Sequence, residues 1–141
     1  MVNASENKKI VVAAALIDDG LGRLLLVRKA GTPWFMQAGG KIGENETALA
    51  ALRRELTEEI GLSVVEEQMQ YLGRFSAPAA NEPDSVVEAE VFHLRVQCIP
   101  GLHAEIEEAI WVSQAEAAVM PLAPLTRNHI LPLSEILKVS V

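Results

Sequence analysis

The chain has 141 residues, half of them apolar, and 19 acidic against 12 basic side chains give it a net charge of −7. This length and apolar content suit one domain with one core and exclude a disordered polymer. No apolar run reaches the roughly 18 residues of a membrane span, and the acidic balance excludes a basic surface for nucleic-acid polymers.

Residues 1–8 read as a flexible tail without a signal-peptide pattern, so the match of Asn3-Ala4-Ser5 to a glycosylation sequon carries no weight. Ile10–Ile17 is rich in β-branched residues and alanine and predicts a buried strand. Asp18-Asp19-Gly20-Leu21-Gly22 is a turn, after which Arg23–Arg28 is expected to pair back as a hairpin. Gly31-Thr32-Pro33 breaks the chain before Trp34-Phe35-Met36, and Gly39, Gly40 and Gly43 frame a loop.

Glu46–Ile60 predicts a helix, because Leu49, Leu52, Leu56 and Ile60 recur at spacings of three and four and make one apolar stripe. Alanines at 48, 50 and 51 favour the helix, Asn45 is its expected N-cap, and Gly61 suits its C-terminal end.

Tyr71–Phe75 and Val86–Val96 predict further strands, joined by a proline- and alanine-rich loop over Ser76–Ser85. Cys98, the lone cysteine, cannot form an internal disulfide and reads as a buried apolar residue within Val96–Ile99, which fits a reducing, cytoplasmic setting. Ala109–Val112 predicts a short strand, and Ser113 followed by Glu116 has the spacing of a capping box opening a short helix. A last helical segment runs over Thr126–Leu137 and is interrupted or restarted at Pro132. Strands with helices of different lengths give an α/β or α+β sandwich.

The chemistry gathers between Gly40 and Leu62. At about 100° per residue, Glu58 and Glu59 lie three and four positions beyond Glu55, so the three carboxylates share one helical face. The leucine stripe sits roughly a quarter to a third of a turn away, which lets the helix pack on a core and present its acids to a cleft. Like charges at these spacings weaken a helix by a few tenths of a kcal/mol per pair. Arg54 offsets part of this through Glu58 but cannot neutralise three acids, whereas hard divalent cations choose such oxygen donors. Three glutamates alone are more often a solvated face; the glycine loop ahead of them, which admits close approach of backbone to an ion or phosphate, makes the arrangement specific.

Gly40, Glu46 and the run Arg54-Glu55-Leu56-Thr57-Glu58-Glu59-Ile60-Gly61-Leu62 match every defined position of the Nudix box, and the chain resembles the Nudix hydrolase family, of which the MutT-like enzymes are part, over about residues 10–138. The resemblance implies an α/β/α sandwich on a mixed sheet and an enzyme that splits phosphoanhydride bonds in nucleoside diphosphates linked to another moiety. It implies that Glu55, Glu58 and Glu59, with the Gly39 carbonyl, bind Mg2+, for which Mn2+ can substitute. It further implies that Arg54 orients a glutamate, that Glu46 braces the loop–helix junction, and that water attacks one phosphorus in line. Glu58 or Glu105, the latter six residues before Trp111, is the candidate base, with Glu105 a candidate extra metal ligand. Many members carry proline where this chain has Ala38, a change expected to loosen the loop without removing activity.

Arg28 is a candidate for phosphate, Trp34 or Phe35 for stacking on a base, Gly40 for close approach of substrate, and Thr126 and Asn128 for a base edge at the pocket mouth; each of these side chains also has a plain packing or surface reading. His93 reads as structural. The leading expectation is a housecleaning nucleoside triphosphate pyrophosphohydrolase. Its rival is an ADP-ribose or sugar-nucleotide pyrophosphatase, for which Pro78, 16 residues past Leu62, is a weak sign. The tyrosine that dinucleoside polyphosphate hydrolases carry near this point is absent. A non-catalytic nucleotide sensor would have lost box glutamates, and all are present. The expected partner is a small nucleotide-like substrate, with no membrane and no polymer; the sequence does not fix the assembly, and a homodimer is a candidate because many members of the family are dimers.

Overall fold

A computed structural model of the chain describes residues 8–139. The expected tail and the Asn3 sequon therefore lie outside the described residues, except that Lys8 already belongs to the first strand. The strands are β1 (Lys8–Asp18), β2 (Arg23–Lys29), β3 (Phe35–Met36), β4 (Gly39–Lys41), β5 (Met69–Pro78), β6 (Ser85–Arg95) and β7 (Ile106–Ser113). The helices are α1 (Ala48–Ile60), α2 (Gln114–Ala118) and α3 (Leu131–Val139), with a 3-10 turn over Glu66–Gln68 and a π-helical turn over Thr126–Ile130.

One mixed sheet carries the order β3-β2-β1-β6-β5, with β4 added to β1 and β7 to β2. The β1–β6 pair is parallel along its whole length, from Lys8↔Ser85 to Asp18↔Arg95, and the other pairs are antiparallel. Both faces are covered, which explains why Ile10–Ile17 is apolar without alternation. Ala13, Ala15 and Ile17 face Leu52, Leu56 and Ile60 of α1. Ala14 and Leu16 turn the other way, into a second core with Ala117, Leu122 and Ile130. The fold is the expected α/β class, with helices on either side of a mixed sheet. Among the described residues no helix is long and apolar enough to cross a membrane.

The structure corrects several expectations. The β1–β2 hairpin is joined only beside its turn, at Asp18↔Leu24. Beyond that point β2 leaves β1 and takes β7 as its partner from Arg23↔Ser113 to Lys29↔Ile106. The edge of β1 thus freed is taken by β4, with Ala13 opposite Gly40 and Ala14 opposite Gly39, so the expected glycine loop is a strand at its start. Ala38, where proline is common, is 1 % exposed, and its carbonyl accepts from Ala15 N at 3.0 Å.

The helix begins at Ala48, and its N-cap is Thr47, whose hydroxyl accepts from Ala50 N at 3.1 Å. Asn45 instead takes a left-handed turn at φ 64°, a conformation asparagine tolerates. Gly61 ends the helix at φ 67°, with its N–H on Thr57 O and Leu62 N–H on Leu56 O. The loop expected over Ser76–Ser85 is shorter, because β5 runs on to Pro78. Val96–Ile99 is not a buried run: Cys98 is half-buried and Ile99 98 % exposed. The capping box of Ser113 and Glu116 opens α2 as its spacing predicts.

Candidate active site

Packing α1 on β1 through Leu52, Leu56 and Ile60 brings its acidic side against β4 and the start of β7. Glu59 is the inner member of the trio. It is 6 % exposed, and its Oε1 accepts from Gly39 N at 2.9 Å, which ties helix to strand. Burial pushes its carboxyl up to about 7; the Gly39 N–H and the Lys29 charge pull it down, while Glu55 and Glu105 push it higher. Glu59 is therefore the point where the fields of Glu55, Glu105 and Lys29 meet.

Glu55 lies under Gly40, and its carboxyl fills the space a side chain there would take. A Cβ there would stand 2.5 Å from the Glu55 carboxyl carbon. Arg54 holds the outer acids. Its Nε and Nη2 donate to the two oxygens of Glu46, both at 2.8 Å, and its Nη1 donates to Glu55 Oε1 at 2.9 Å and, more loosely, to Glu58 Oε2 at 3.4 Å. Glu46 also accepts from Gly43 N at 2.8 Å, so it links the loop to the helix. Arg54, and after it the Gly43 N–H, hold the Glu46 carboxyl down at about 2. The i to i+4 contact of Arg54 with Glu58 is thus the weakest of its ion pairs, and Glu58 is the exposed member of the trio.

Among the described residues no three acidic, histidine or cysteine side chains already converge closely enough to enclose an ion. Arg54 and the Gly39 N–H are bonded to Glu55 and Glu59 instead. The donor set still fits a hard divalent cation. A carboxyl raised to about 7, first by burial and then by the charges of Glu55 and Glu105, is an oxygen site that a cation would relieve.

Arg28 lies elsewhere in its bonding. Its Nε donates to Glu108 at 2.8 Å, its Nη2 to Glu107 at 2.9 Å and its Nη1 to Thr32 O at 2.9 Å, so the guanidinium is engaged on all sides. The neighbouring cation, Lys29, is the one whose charge reaches Glu59, and it lines a cavity of about 200 Å³ beside β4. Strand alternation could have singled it out: Leu25 and Val27 face α1, and Lys29 follows two residues on.

Gly39 and Gly40, which touch the acids, line this cavity, and Val12, Val87 and Leu125 give it apolar surface. Pro78 also lines it. Trp34 is half-buried and does not line it, and Phe35 is packed into the second core; Met36 and Gln37 stand in the wall instead. Thr126 is fully buried and gives its hydroxyl to Gln37 Oε1 at 2.7 Å, while Asn128 is exposed. Sequence reading missed Gln37, which has no motif of its own. His93 pairs with Asp18, and the hydrogen bonds of Asp18 to His93 and Arg95 outweigh its burial and hold its carboxyl low.

Comparison with known proteins agrees with this geometry. The family profile described as the NUDIX domain matches residues 8–133. The chain is 33% identical over 128 residues to the CTP pyrophosphohydrolase of Escherichia coli (strain K12), covering 83% of this chain and 85% of that one. It is 35% identical over 77 residues to the 8-oxo-dGTP diphosphatase of Haemophilus influenzae (strain ATCC 51907 / DSM 11121 / KW20 / Rd), covering 51% of this chain and 57% of the relative. In fold it is similar to the crystal structure of the MutT protein from Methanosarcina mazei Go1, with a TM-score of 0.76 at 24% identity over 93% of this chain and 96% of that one. With the motif, the sheet and these relatives in agreement, the chain belongs to the Nudix family, in its MutT-like part, and is a hydrolase of phosphoanhydride bonds.

Proposed function

We propose that the chain is a Mg2+-dependent pyrophosphohydrolase of nucleoside triphosphates, of the housecleaning kind. The observation that carries this reading is Glu59, a buried carboxyl raised to about 7 among Glu55 and Glu105, set beside a cavity lined by Gly39 and Gly40. A cluster of acids at the edge of such a cavity suits a cation and, through it, a polyanion. The names of the two relatives, a CTP pyrophosphohydrolase and an 8-oxo-dGTP diphosphatase, support a triphosphate over a sugar nucleotide.

In this reading Glu55, Glu58 and Glu59, with the Gly39 carbonyl, hold the metal. When bound, Mg2+ or Mn2+ neutralises phosphate charge and acidifies the water that attacks. Glu58, the exposed member of the trio, or Glu105 takes the proton of that water. Arg54 bridges Glu55 and Glu58 through one nitrogen and so aims them, and Glu46 holds Arg54 in turn. Lys29, whose charge already reaches the acidic pocket, meets the phosphates in place of Arg28, which Glu107 and Glu108 occupy. Gly40 lets the protein backbone come close to metal and phosphate, and the substrate is a small nucleotide, without a polymer partner.

The test is a nucleotide panel with and without Mg2+ or Mn2+, products resolved by chromatography. Metal-dependent conversion of a triphosphate to monophosphate and pyrophosphate is the expected result. Preferential cleavage of ADP-ribose or a sugar nucleotide would replace the substrate class, and binding without turnover on any compound would replace the enzyme with a sensor.

A further inference from the structure

The cavity beside β4 holds an amide with nothing to do inside the protein. Gln37 is 7 % exposed, and its Nε2 is the one buried side-chain nitrogen or oxygen among the described residues that lacks a hydrogen-bond partner. Buried polar groups are nearly always paired, and an exception inside a ligand cavity marks a group kept for the ligand. The other amide atom is fixed: Thr126, itself 0 % exposed, donates its hydroxyl to Gln37 Oε1 at 2.7 Å. That bond leaves the two N–H groups of Nε2 as the unsatisfied side of the amide.

The amide is also held from behind. Phe35 N donates to Pro121 O at 2.8 Å and Ala123 N to Phe35 O at 2.9 Å, which stitches the strand before Gln37 to the segment before Thr126. Thr126 opens a π-helical turn, a local form often found at functional positions. Gln37 is therefore set in one orientation before any ligand enters, in the wall of a cavity that is apolar at Val12, Val87 and Leu125 and polar at Lys29, Asn81 and Glu82.

We propose that Gln37, clamped by Thr126, is the specificity-determining residue for the nucleobase: its free amide N–H groups donate to a ring carbonyl, so the site prefers carbonyl-bearing bases to adenine. The inference rests on the nucleotide-hydrolase reading above and narrows its substrate class. Cytosine, uracil and guanine each present a ring carbonyl oxygen, an in-plane acceptor for an amide N–H. Adenine has none: its acceptors are ring nitrogens, and where guanine carries a carbonyl it carries an amino group that would face the Gln37 amide donor to donor. A site built to hydrogen-bond a substrate group discriminates against an analogue that lacks it, because its own buried group is then left unpaired.

The experiment measures binding of CMP, UMP, GMP and AMP by calorimetry in the presence of Mg2+, on the full chain and on Q37L, Q37E and T126V. At least one carbonyl-bearing monophosphate should bind roughly tenfold or more tightly than AMP, the size of one hydrogen bond gained against a donor left unmet. Q37L should bring the four within about threefold of one another by losing the tighter binders rather than by gaining AMP, as expected when one hydrogen bond is removed. Q37E keeps the shape and turns a donor into an acceptor, so it should abolish the preference even where Q37L folds poorly, and T126V should reduce it by freeing the amide to rotate. Thermal melting of each variant checks its fold. AMP binding as tightly as the other three, a preference that survives in folded Q37L or Q37E, or no binding by any of the four at millimolar concentration would overturn the proposal. Triphosphate turnover measured on the same samples keeps the two readings apart: turnover without base preference defeats this inference alone, and base preference without turnover defeats the hydrolase alone.

Discussion

Replacing Glu59 by Gln should make the metal-free protein more stable at alkaline pH and leave it unchanged in acid. Folding raises this carboxyl from its ordinary 4.5 to about 7, chiefly by burial, so the folded chain binds its proton more tightly than the unfolded chain does. Stability from this group is fully present below about pH 4.5 and is lost as pH rises through 7, where the folded carboxyl ionises. At about 1.4 kcal/mol per pH unit between those two values, the loss is about 3 kcal/mol, a sizeable share of a small domain's total. The Gln variant keeps an oxygen for Gly39 N–H but has nothing to ionise. Urea unfolding in a chelator, repeated from pH 4.5 to 8.5, measures the difference directly, since every other titrating group is common to both proteins. The two stability curves should nearly meet at pH 4.5 and diverge until the variant leads by about 3 kcal/mol above pH 7. Curves that stay parallel across the range would show that Glu59 ionises freely in the folded state and that the acidic pocket is not short of positive charge.

Three further outcomes are expected. Glu58→Gln should keep the fold, as judged by thermal melting, and lower Mg2+-dependent turnover by roughly 10²–10⁴-fold; near-normal kcat would remove Glu58 from the mechanism. Gly40→Ala and Gly39→Ala should separate activity from folding. A Cβ at Gly40 meets only the movable end of Glu55, at 2.5 Å, so that variant should fold and lose metal affinity in a titration followed by calorimetry. A Cβ at Gly39 would stand 2.1 Å from the Ala13 carbonyl oxygen at φ 151°, so that variant should lose several kcal/mol or about half of a small domain's stability in urea. Thr47→Ala should cost about 1 kcal/mol of stability through the lost cap of α1, with Asn45→Ala a control for the residue that only turns the chain.

The elements that could be read in advance are those whose cause is local. The stripe of Leu52, Leu56 and Ile60, the glycine at 61 and the Ser113–Glu116 box each depend on residues within a turn or two of one another, and each forms where its spacing puts it. The Nudix box was legible for the same reason, since Glu55, Glu58 and Glu59 share a helix. What escaped depends on partners far along the chain. Nothing near Leu24 announces that β2 will prefer β7, some 80 residues later, to the strand across its own turn. Arg28 and Lys29 look interchangeable as neighbours, yet Glu107 and Glu108 on β7 occupy one while the other reaches Glu59. Gln37 acquires its meaning only when Thr126 arrives from the far end of the chain. Asn45 and Thr47 are both good caps by type, and the choice fell to Thr47 because the turn at Asn45 needs a left-handed residue while Glu46 spends its side chain on Gly43 and Arg54.

The parting of β2 from β1 has a consequence for how such a protein can diversify. Because β4 slots into the gap, the backbone that carries Gly39 and Gly40 is anchored by ladder bonds rather than left as a surface turn, and residues cannot be added between Met36 and Lys41 without breaking the sheet. The connections at 30–34 and 79–84 lie outside the ladders and can lengthen at little thermodynamic expense, whereas 97–105 is tied to the end of α1 by Gly101 N on Ile60 O and His103 N on Glu59 O. Of these, 79–84 also borders the cavity. New ligand preferences in this scaffold should therefore arise by insertion there, or by substitution at single wall positions, while the hydrolytic machinery stays in register.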